Sequence, residues 1–254
     1  MTRQVFFLPS GIADKVDEEI VLPADLSHQI VRVLKLEKGD LIELKDESGR
    51  TWRAQITHVS KKGVRVTLLD EVFHAAESPL EVTLFMAIAR SDRVDLAIRQ
   101  ATELGVKEIV LFPSARSPYR LEKLKVQDRV SRWSKIAQEA VCQCRRVKVP
   151  NIWYGNGLDE ILDYAENGED YNILKLVASE MDELPGVGAF FQSGIKPSSV
   201  AVAIGPEGGW AEEELSAFKS RKWVPISLGP RILRYETAMV AIVVLCQFLW
   251  GDMR

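Results

Sequence analysis

The hydrophobic and polar positions of the chain follow one pattern before about residue 72 and another after residue 80. In the first part, three short runs alternate apolar and polar side chains: Leu41–Leu44, Thr51–Val59 and Gly63–Leu69. A period of two is typical of half-buried strands, and glycine-containing turns separate these runs. The segment Asp25–Leu36 instead places apolar residues at helical spacing. The pattern predicts a compact β-barrel with one helix over residues 1–72.

From Glu81 onward, apolar strand-like runs alternate with helical stretches. The predicted strands are Val82–Ala89, Val106–Phe112, Tyr171–Val177, Val200–Ile204 and Val224–Leu228. The predicted helices cover residues 92–104, 124–144, 157–165 and 211–219, and a very apolar one follows Tyr235. This alternation predicts an α/β domain with a largely parallel sheet over residues 81–254. The segment Phe73–Leu80 has no periodicity and is the predicted linker.

The apolar content does not indicate a membrane protein. The longest apolar stretch, Ala238–Leu245 extended to Trp250, contains Gln247 and is too short to span a bilayer. Three cysteines, an odd number without disulfide or zinc spacing, fit a reducing compartment. We therefore expect a soluble cytoplasmic protein that has no membrane partner and needs no metal.

The net charge of −3 conceals an uneven distribution. Residues 89–150 contain 14 basic and 7 acidic residues, whereas residues 151–254 contain 8 basic and 15 acidic ones. A local basic segment is what binding to nucleic-acid phosphates requires. A solvated set of amphipathic helices explains the same count, so charge alone leaves both interpretations open.

Two strand-like runs near the C-terminus each end in a Gly-Pro turn. The first turn is IGPEGG at 204–209, and the second begins LGPRILRYETA at 228–238. Glycines let a backbone approach a ligand closely, and strands that end in such turns mark ligand sites at one edge of an α/β sheet. Apolar packing does not explain Glu207, Arg231, Arg234 and Glu236 in these turns. The two turns are therefore the predicted active site.

At these motifs the sequence resembles the SPOUT superfamily of knotted methyltransferases, and within it the RsmE-type 16S rRNA uridine N3-methyltransferases. HQIVRVLKL at 28–36, ATELGV at 101–106 and KIAQEAVCQCRRVKVP at 135–150 extend the resemblance over nearly the whole chain. One departure is Tyr235, where the family usually has a threonine. A second is Cys142–Arg146, which lacks an acidic residue and a glycine of the family pattern.

The resemblance implies a C-terminal domain with a deep trefoil knot and a PUA-like, RNA-binding N-terminal barrel. It implies a homodimer through the C-terminal helix, S-adenosylmethionine as cofactor with S-adenosylhomocysteine as product, and 16S rRNA of the 30S subunit as partner. The implied reaction is methylation of N3 of uridine 1498. A SPOUT ribose 2′-O-methyltransferase, a non-catalytic rRNA assembly factor and a small-molecule enzyme are the alternatives.

The resemblance also assigns candidate site residues. The cofactor-binding set is Leu176, Val177, Ala178, Ser179, Ile204, Gly205, Pro206, Glu207, Gly208, Gly209, Leu228, Gly229, Arg231, Ile232 and Leu233. The RNA-binding set is Arg3, His28, Arg32, Lys35, Arg93, Arg116, Arg120, Arg145 and Arg146.

The catalytic candidates are Arg234 and Glu236. N3 of uracil is a poor nucleophile until it loses its proton, so the reaction needs charge stabilisation and a base. A guanidinium is a poor base, so we assign Arg234 to the negative charge that develops on uracil. Glu236 is assigned as the base or as a group that orients Arg234. A helix N-terminal charge is the alternative role for Glu236.

Overall fold

The computed structural model describes residues 4–8, 18–46, 48–60, 63–73, 77–118, 120–166, 173–180, 184–186, 189–190 and 194–253. The chain divides into two compact units. The first comprises residues 1–77 and 138–149, and the second comprises residues 78–137 and 150–254.

The first unit is built on a five-stranded sheet. Its strands are β1 (Val5–Phe7), β2 (Glu19–Val21), β3 (Leu41–Lys45), β4 (Thr51–Ser60) and β5 (Gly63–Val72). They lie in the order β1-β3-β4-β5-β2, with β1 parallel to β3 and all other neighbours antiparallel. Alternate residues such as Ile42, Ala54 and Val66 are buried in one core, as the period of two predicts. Within the described residues, no pairing between β1 and β2 closes the sheet.

The predicted helix of this unit is shorter than its sequence pattern. Helix α1 (Ala24–His28) continues as one π-helical turn over Gln29–Val33, in which the amide of Leu34 donates to the carbonyl oxygen of Gln29 at 3.0 Å. The wider turn leaves Val33 65% exposed, although its spacing predicts a buried position. Lys35, with φ of 53°, ends the segment.

The second unit contains a six-stranded parallel sheet. Its strands are β6 (Glu81–Ala87), β7 (Glu108–Phe112), β8 (Asn151–Tyr154), β9 (Ile173–Ala178), β10 (Ser199–Ile204) and β11 (Val224–Ile226). The order is β11-β9-β10-β6-β7-β8. Every residue of β10 is buried, as is typical of a central strand in a parallel sheet. The sequence pattern did not predict β8, because this edge strand has four residues and only Ile152 among them is buried.

The helices of this unit follow the predicted alternation. They are α2 (Ser91–Glu103), α3 (Lys123–Cys144), α4 (Leu158–Glu166), α5 (Glu212–Ser220) and α6 (Tyr235–Trp250). An aromatic cluster of Phe85, Trp210, Phe218 and Trp223 packs α5 onto the sheet. None of the helices in the described ranges is long and apolar enough to cross a membrane.

The unit boundaries differ from the predicted domains in two respects, since the predicted linker 73–80 is divided between the units after residue 77 and residues 138–149 change units. Residues 138–149, which include the last turns of α3, belong to the first unit, whereas the sequence pattern assigned them to the C-terminal domain. The reason lies in their contacts with that unit. Lys45 Nζ donates to the carbonyl oxygen of Arg146 at 2.6 Å, and Glu77 binds the Arg146 guanidinium. Helical periodicity identifies α3 but carries no information about where its last turns pack.

Candidate active site

The site lies where three neighbouring parallel strands end. Strands β11, β9 and β10 are adjacent in the sheet, so their carboxyl ends meet at one edge. The segments that follow them are the three predicted cofactor segments: 176–179, 204–209 and 228–233. The structure therefore brings these three segments together, although Leu176, Val177, Ile204 and Pro206 have buried side chains. Such buried residues offer only backbone groups to a ligand.

Hydrogen bonds connect segment 176–179 to residues that flank the other two segments. The indole Nε1 of Trp210, immediately after the first glycine turn, donates to the carbonyl oxygen of Ala178 at 2.8 Å. The amide of Ser179 donates to the carbonyl oxygen of Ile226 at 3.0 Å. Trp210 was not among the predicted site residues. Its position next to the glycine motif was the one signal in the sequence that pointed to it.

The first glycine turn is held from both sides. The guanidinium Nε of Arg93, in α2, lies 3.6 Å from a carboxylate oxygen of Glu207. Arg116, in the segment after β7, donates from Nη1 to the carbonyl oxygen of Gly208 at 3.2 Å. A Cβ atom on Gly208 would lie 3.3 Å from that of Arg116, so glycine lets the two segments approach this closely without any adjustment of the neighbouring side chain.

A buried carboxylate fixes the start of the helix after this turn. Glu214 accepts hydrogen bonds from the amides of Ala115 and Ala211, both at 2.9 Å. A carboxylate in the first turn of α5 also interacts favourably with the helix dipole. Sequence reasoning missed Glu214 because it is the third of three consecutive glutamates, and only the structure distinguishes it from the exposed Glu212 and Glu213.

The second glycine turn is far more exposed. Gly229 has φ of +107°, which favours glycine, and Ser227 Oγ accepts a hydrogen bond from its amide at 3.1 Å. Beyond it, Arg231 is exposed and Ile232 is 81% exposed. An exposed isoleucine that follows the second glycine turn is available to a ligand or to another chain.

The catalytic candidates begin helix α6. Arg234 occupies the N-cap position with extended backbone (φ −64°, ψ 154°), and its side chain is exposed. Glu236 lies in the first turn, and its Oε2 atom is buried without a hydrogen-bond partner among the described residues. The structure shows no ion pair between these two described side chains. A buried carboxylate oxygen without a partner is energetically costly, and a catalytic role is one of the reasons for which such a group is retained.

Tyr235, the departure from the family pattern, is a structural anchor. Its ring is 4% exposed, and its hydroxyl donates to the carbonyl oxygen of Ala87, at the end of β6, at 3.0 Å. This bond ties the start of α6 to the centre of the sheet. It leaves Arg234 and Glu236 on either side of a fixed residue.

The predicted RNA-binding residues have different environments. His28, Arg32, Lys35, Arg120 and Arg145 are exposed. Arg93 and Arg116 bond to the first glycine turn, as described above, while Arg3 lies outside the described residues.

Arg146, which was predicted to contact RNA, has a buried side chain in this structure. Its side chain is 5% exposed and pairs with Glu77, whose carboxylate also accepts from the amides of Val147 and Lys148. Burial acts to raise the pKa of Glu77, but hydrogen bonds from Arg146 and from these amides outweigh it and hold the pKa below its usual value. Arg146 is therefore part of the packing of residues 138–149.

Two of the three cysteines, Cys142 and Cys246, are buried thiols of low reactivity. Burial raises the pKa of Cys142 to about 11 and that of Cys246 to about 12, so both thiols stay protonated near neutral pH. Within the described ranges, no group of three or more His, Cys, Asp or Glu side chains is arranged to hold a metal ion.

Comparisons with known proteins identify two protein families in the chain. Residues 76–247 match the RNA methyltransferase domain family, and residues 22–69 match the RNA methyltransferase PUA domain family. The chain is 30% identical to ribosomal RNA small subunit methyltransferase E of Bacillus subtilis over 89% of its own length and 90% of the relative's.

Two solved structures have the same fold. Ribosomal RNA small subunit methyltransferase E of Neisseria gonorrhoeae, bound to S-adenosyl methionine, superimposes with a TM-score of 0.86, 29% identity and complete coverage of both chains. A methyltransferase of Legionella pneumophila with bound SAM also gives 0.86, at 26% identity, covering 99% of this chain and 100% of that one. The chain belongs to the ribosomal RNA small subunit methyltransferase E family of RNA methyltransferases.

Proposed function

We propose that this protein transfers a methyl group from S-adenosylmethionine to N3 of one uridine, position 1498, in the 16S rRNA of the small ribosomal subunit. The observation that carries the proposal is the meeting of two glycine turns and the segment after β9 at one sheet edge, joined through Trp210 and Ala178. The two relatives with the same fold carry S-adenosyl methionine. The product left in the site is S-adenosylhomocysteine.

The residues present fit this cofactor. Gly209 and Gly229 have φ of +67° and +107°, and a Cβ on either would meet nothing within 4 Å, so both turns leave open space beside exposed backbone. The groups that would hold the cofactor belong to segments 176–179, 204–209 and 228–233. When bound, S-adenosylmethionine supplies an electrophilic methyl group on a sulfonium.

The chain's own residues supply the rest of the chemistry. The uridine must be unpaired and turned out of any stack before N3 becomes accessible. Glu236 takes the N3 proton on its unpartnered carboxylate oxygen, and the lone pair left on N3 forms the new N–C bond. Arg234 donates hydrogen bonds to the uracil oxygen on which negative charge develops. Arg231 pairs with RNA phosphate or orders the second glycine turn.

The first unit and the basic residues supply RNA affinity. Exposed His28, Arg32, Lys35, Arg120 and Arg145 are proposed to contact the phosphate backbone, which positions the RNA without reading its sequence. The match to a PUA domain family over residues 22–69 supports an RNA-binding role for this unit. Cytoplasmic location follows from a ribosomal substrate.

A trefoil knot and a homodimer complete the proposal. The position of β9 between β11 and β10, together with the similarity to the two solved structures, supports the knot. Exposed apolar residues on α6, Leu245 at 37% and Phe248 at 56%, support a second copy of the chain as the group that covers this face.

Methyl transfer followed by reverse transcription tests the reaction. Small subunits from cells lacking the protein would be incubated with the purified protein and S-adenosylmethionine. We expect an enzyme-dependent stop at a single uridine, because N3 methylation blocks Watson–Crick pairing. Methyl incorporation without a stop would instead indicate ribose 2′-O methylation. Absence of both incorporation and cofactor binding would indicate a non-catalytic rRNA-binding protein.

A further inference from the structure

Two basic side chains that were predicted to bind RNA contact the first glycine turn, one through an ion pair and the other through a hydrogen bond. Arg93 Nε is 3.6 Å from Glu207 Oε1, and the two side chains are 28% and 27% exposed. Arg116 Nη1 is 3.2 Å from the carbonyl oxygen of Gly208. Two consecutive residues of the turn are thus each held by a different arginine, one from α2 and one from the segment after β7.

The arginine backbones are fixed, while their ends reach solvent. Ala115, next to Arg116, is bound through its amide to the buried Glu214, and Gly208 packs against the Arg116 Cβ. Arg93 lies in the first turn of α2, with its amide bonded to the carbonyl oxygen of Arg90 at 3.0 Å. Neither backbone has to move for the guanidinium to gain a second partner.

Each guanidinium has N–H donors that its contact with the turn does not use. A guanidinium carries five N–H groups in a planar fork, and the contacts to Glu207 and Gly208 engage one nitrogen of each arginine. The remaining donors match the oxygens of a phosphodiester. One side chain is therefore able to hold the turn and an RNA phosphate at the same time. A bound phosphate would order the side chain, and the turn behind it would lose freedom before the cofactor arrives.

We propose that Arg93 and Arg116 couple RNA binding to cofactor binding through the Glu207–Gly208 turn, an inference that rests on the function proposed above. RNA phosphates that bind these guanidiniums hold them against the turn, so each ligand binds more tightly when the other is present. Linkage requires the same factor in both directions. Arg93 and Arg116 are positioning residues, because they act on the cofactor through the turn.

The test measures cofactor affinity with and without RNA. S-adenosylhomocysteine is the probe, because it does not react. Its Kd would be measured for the full chain alone and with saturating small subunits from cells that lack the protein. For the wild-type protein we expect RNA to tighten binding about fivefold, at the low end of measured couplings. We expect Arg93→Ala and Arg116→Ala each to remove most of this factor, so that each substitution weakens cofactor binding more in the presence of RNA than in its absence.

Two further variants separate coupling from loss of charge. Arg93→Lys keeps the positive charge but loses the planar set of guanidinium donors, and we expect it to retain more of the coupling than Arg93→Ala does. Arg90→Ala is the matched control, because Arg90 precedes the same helix but pairs with exposed Asp92, at 3.6 Å. In Arg90→Ala, RNA should tighten binding of S-adenosylhomocysteine by the same factor as in the wild-type protein.

Three results would overturn the inference. The first is a wild-type Kd that RNA leaves unchanged, and the second is coupling that survives both alanine substitutions or is lost equally in Arg90→Ala. The third is an Arg93→Ala protein whose affinity falls equally with and without RNA, because that result indicates a purely structural role. Failure of the proposed function is distinguishable by a separate assay in which S-adenosylmethionine replaces the probe, since the wild-type protein would then produce no 3-methyluridine.

Discussion

The two glycine turns of the site share a sequence pattern but have very different environments. Each follows an apolar strand and begins Gly-Pro, at 205–206 and 229–230. The first is bonded to Arg93 and Arg116 and is followed by Trp210, which is bound to Ala178. The second has local hydrogen bonds between Ser227 and Gly229, and it exposes Ile232.

The positions of the strands explain this difference. Strand β10, before the first turn, has neighbours on both sides, whereas β11, before the second, lies at the sheet edge. A turn in the centre of a sheet is surrounded by the segments that follow adjacent strands, which supply bonding partners. The difference indicates that the first turn is the more ordered of the two before any ligand binds, while the second turn has to be ordered when ligand, RNA or a second copy binds.

The largest expected effect comes from the end of the exposed turn. Arg234→Ala should lower kcat by about 10²–10³, because it removes a donor to charge that develops only in the transition state. The cofactor Kd should change by less than about twofold. Steady-state methyl transfer and calorimetry would measure the two quantities. Arg231→Ala serves as the comparison within the same turn and should affect Kd more than kcat; survival of full activity in Arg234→Ala would remove Arg234 from the mechanism.

Glu236→Gln distinguishes a base from a helix-terminal charge. If Glu236 accepts the N3 proton, kcat should fall by about 10²-fold, since general base catalysis contributes at least that much. If it only interacts with the helix dipole, kcat should stay unchanged and the free energy of unfolding should fall by about 0.3–1 kcal/mol. Paired activity and denaturation measurements separate these results.

Hydrogen exchange compares the two turns directly. We expect S-adenosylhomocysteine to slow exchange of amides in 229–233 about tenfold and those in 205–209 much less, because the latter are already held. Mass spectrometry of peptic peptides that cover each turn is the measurement. Equal protection of both turns would mean that the first is no more pre-organised than the second.

Removal of one hydrogen bond next to the first turn should make that turn less ordered, as the second turn is. Trp210→Phe keeps most of the ring but removes the 2.8 Å hydrogen bond to the Ala178 carbonyl oxygen. We expect cofactor affinity to fall about fivefold, because a change of this size corresponds to the net free energy of one hydrogen bond. Calorimetry measures it, with Trp223→Phe as a control indole in the same aromatic cluster but with no described hydrogen bond. An equal loss in the control would assign the effect to packing.

Tyr235→Phe should have the smallest effect. It removes the buried hydrogen bond to the Ala87 carbonyl oxygen and should lower the free energy of unfolding by about 1 kcal/mol. Because Tyr235 anchors the helix and does not face the reaction, kcat for folded protein should change little. Chemical denaturation and methyl transfer assays on the same preparation check both statements.

Much of the fold was predictable because it rests on local periodicity. The alternation in Thr51–Ser60 and the fully apolar run Ser199–Ile204 identify their strands without any knowledge of neighbours. Strand β8 was missed because four residues at a sheet edge do not establish a period. The π-helical turn at Gln29–Val33 was missed because the spacing of its apolar residues also fits an ordinary helix.

The site was less predictable, because bonding partners are distant in sequence. The sequence alone does not distinguish four of the predicted RNA-binding arginines: Arg93, Arg116, Arg145 and Arg146. The structure separates them into two that hold a turn, one exposed, and one buried against Glu77. In the sequence Tyr235 is only a departure from the family motif. Its structural role depends on a hydrogen bond from its hydroxyl to the carbonyl oxygen of Ala87, 148 residues earlier. Hydrogen bonds and ion pairs of this kind depend on the order of strands in the sheet, and a local sequence pattern does not predict that order.

Nucleoside mass spectrometry of small-subunit rRNA most directly tests whether this protein methylates N3 of uridine. The rRNA would come from cells with the protein, from cells without it, and from the latter complemented with wild-type or Arg234→Ala protein. We predict that 3-methyluridine disappears in its absence and returns with the wild-type chain but not with the variant. Unchanged 3-methyluridine, or loss of a 2′-O-methylated nucleoside in its place, would contradict this function.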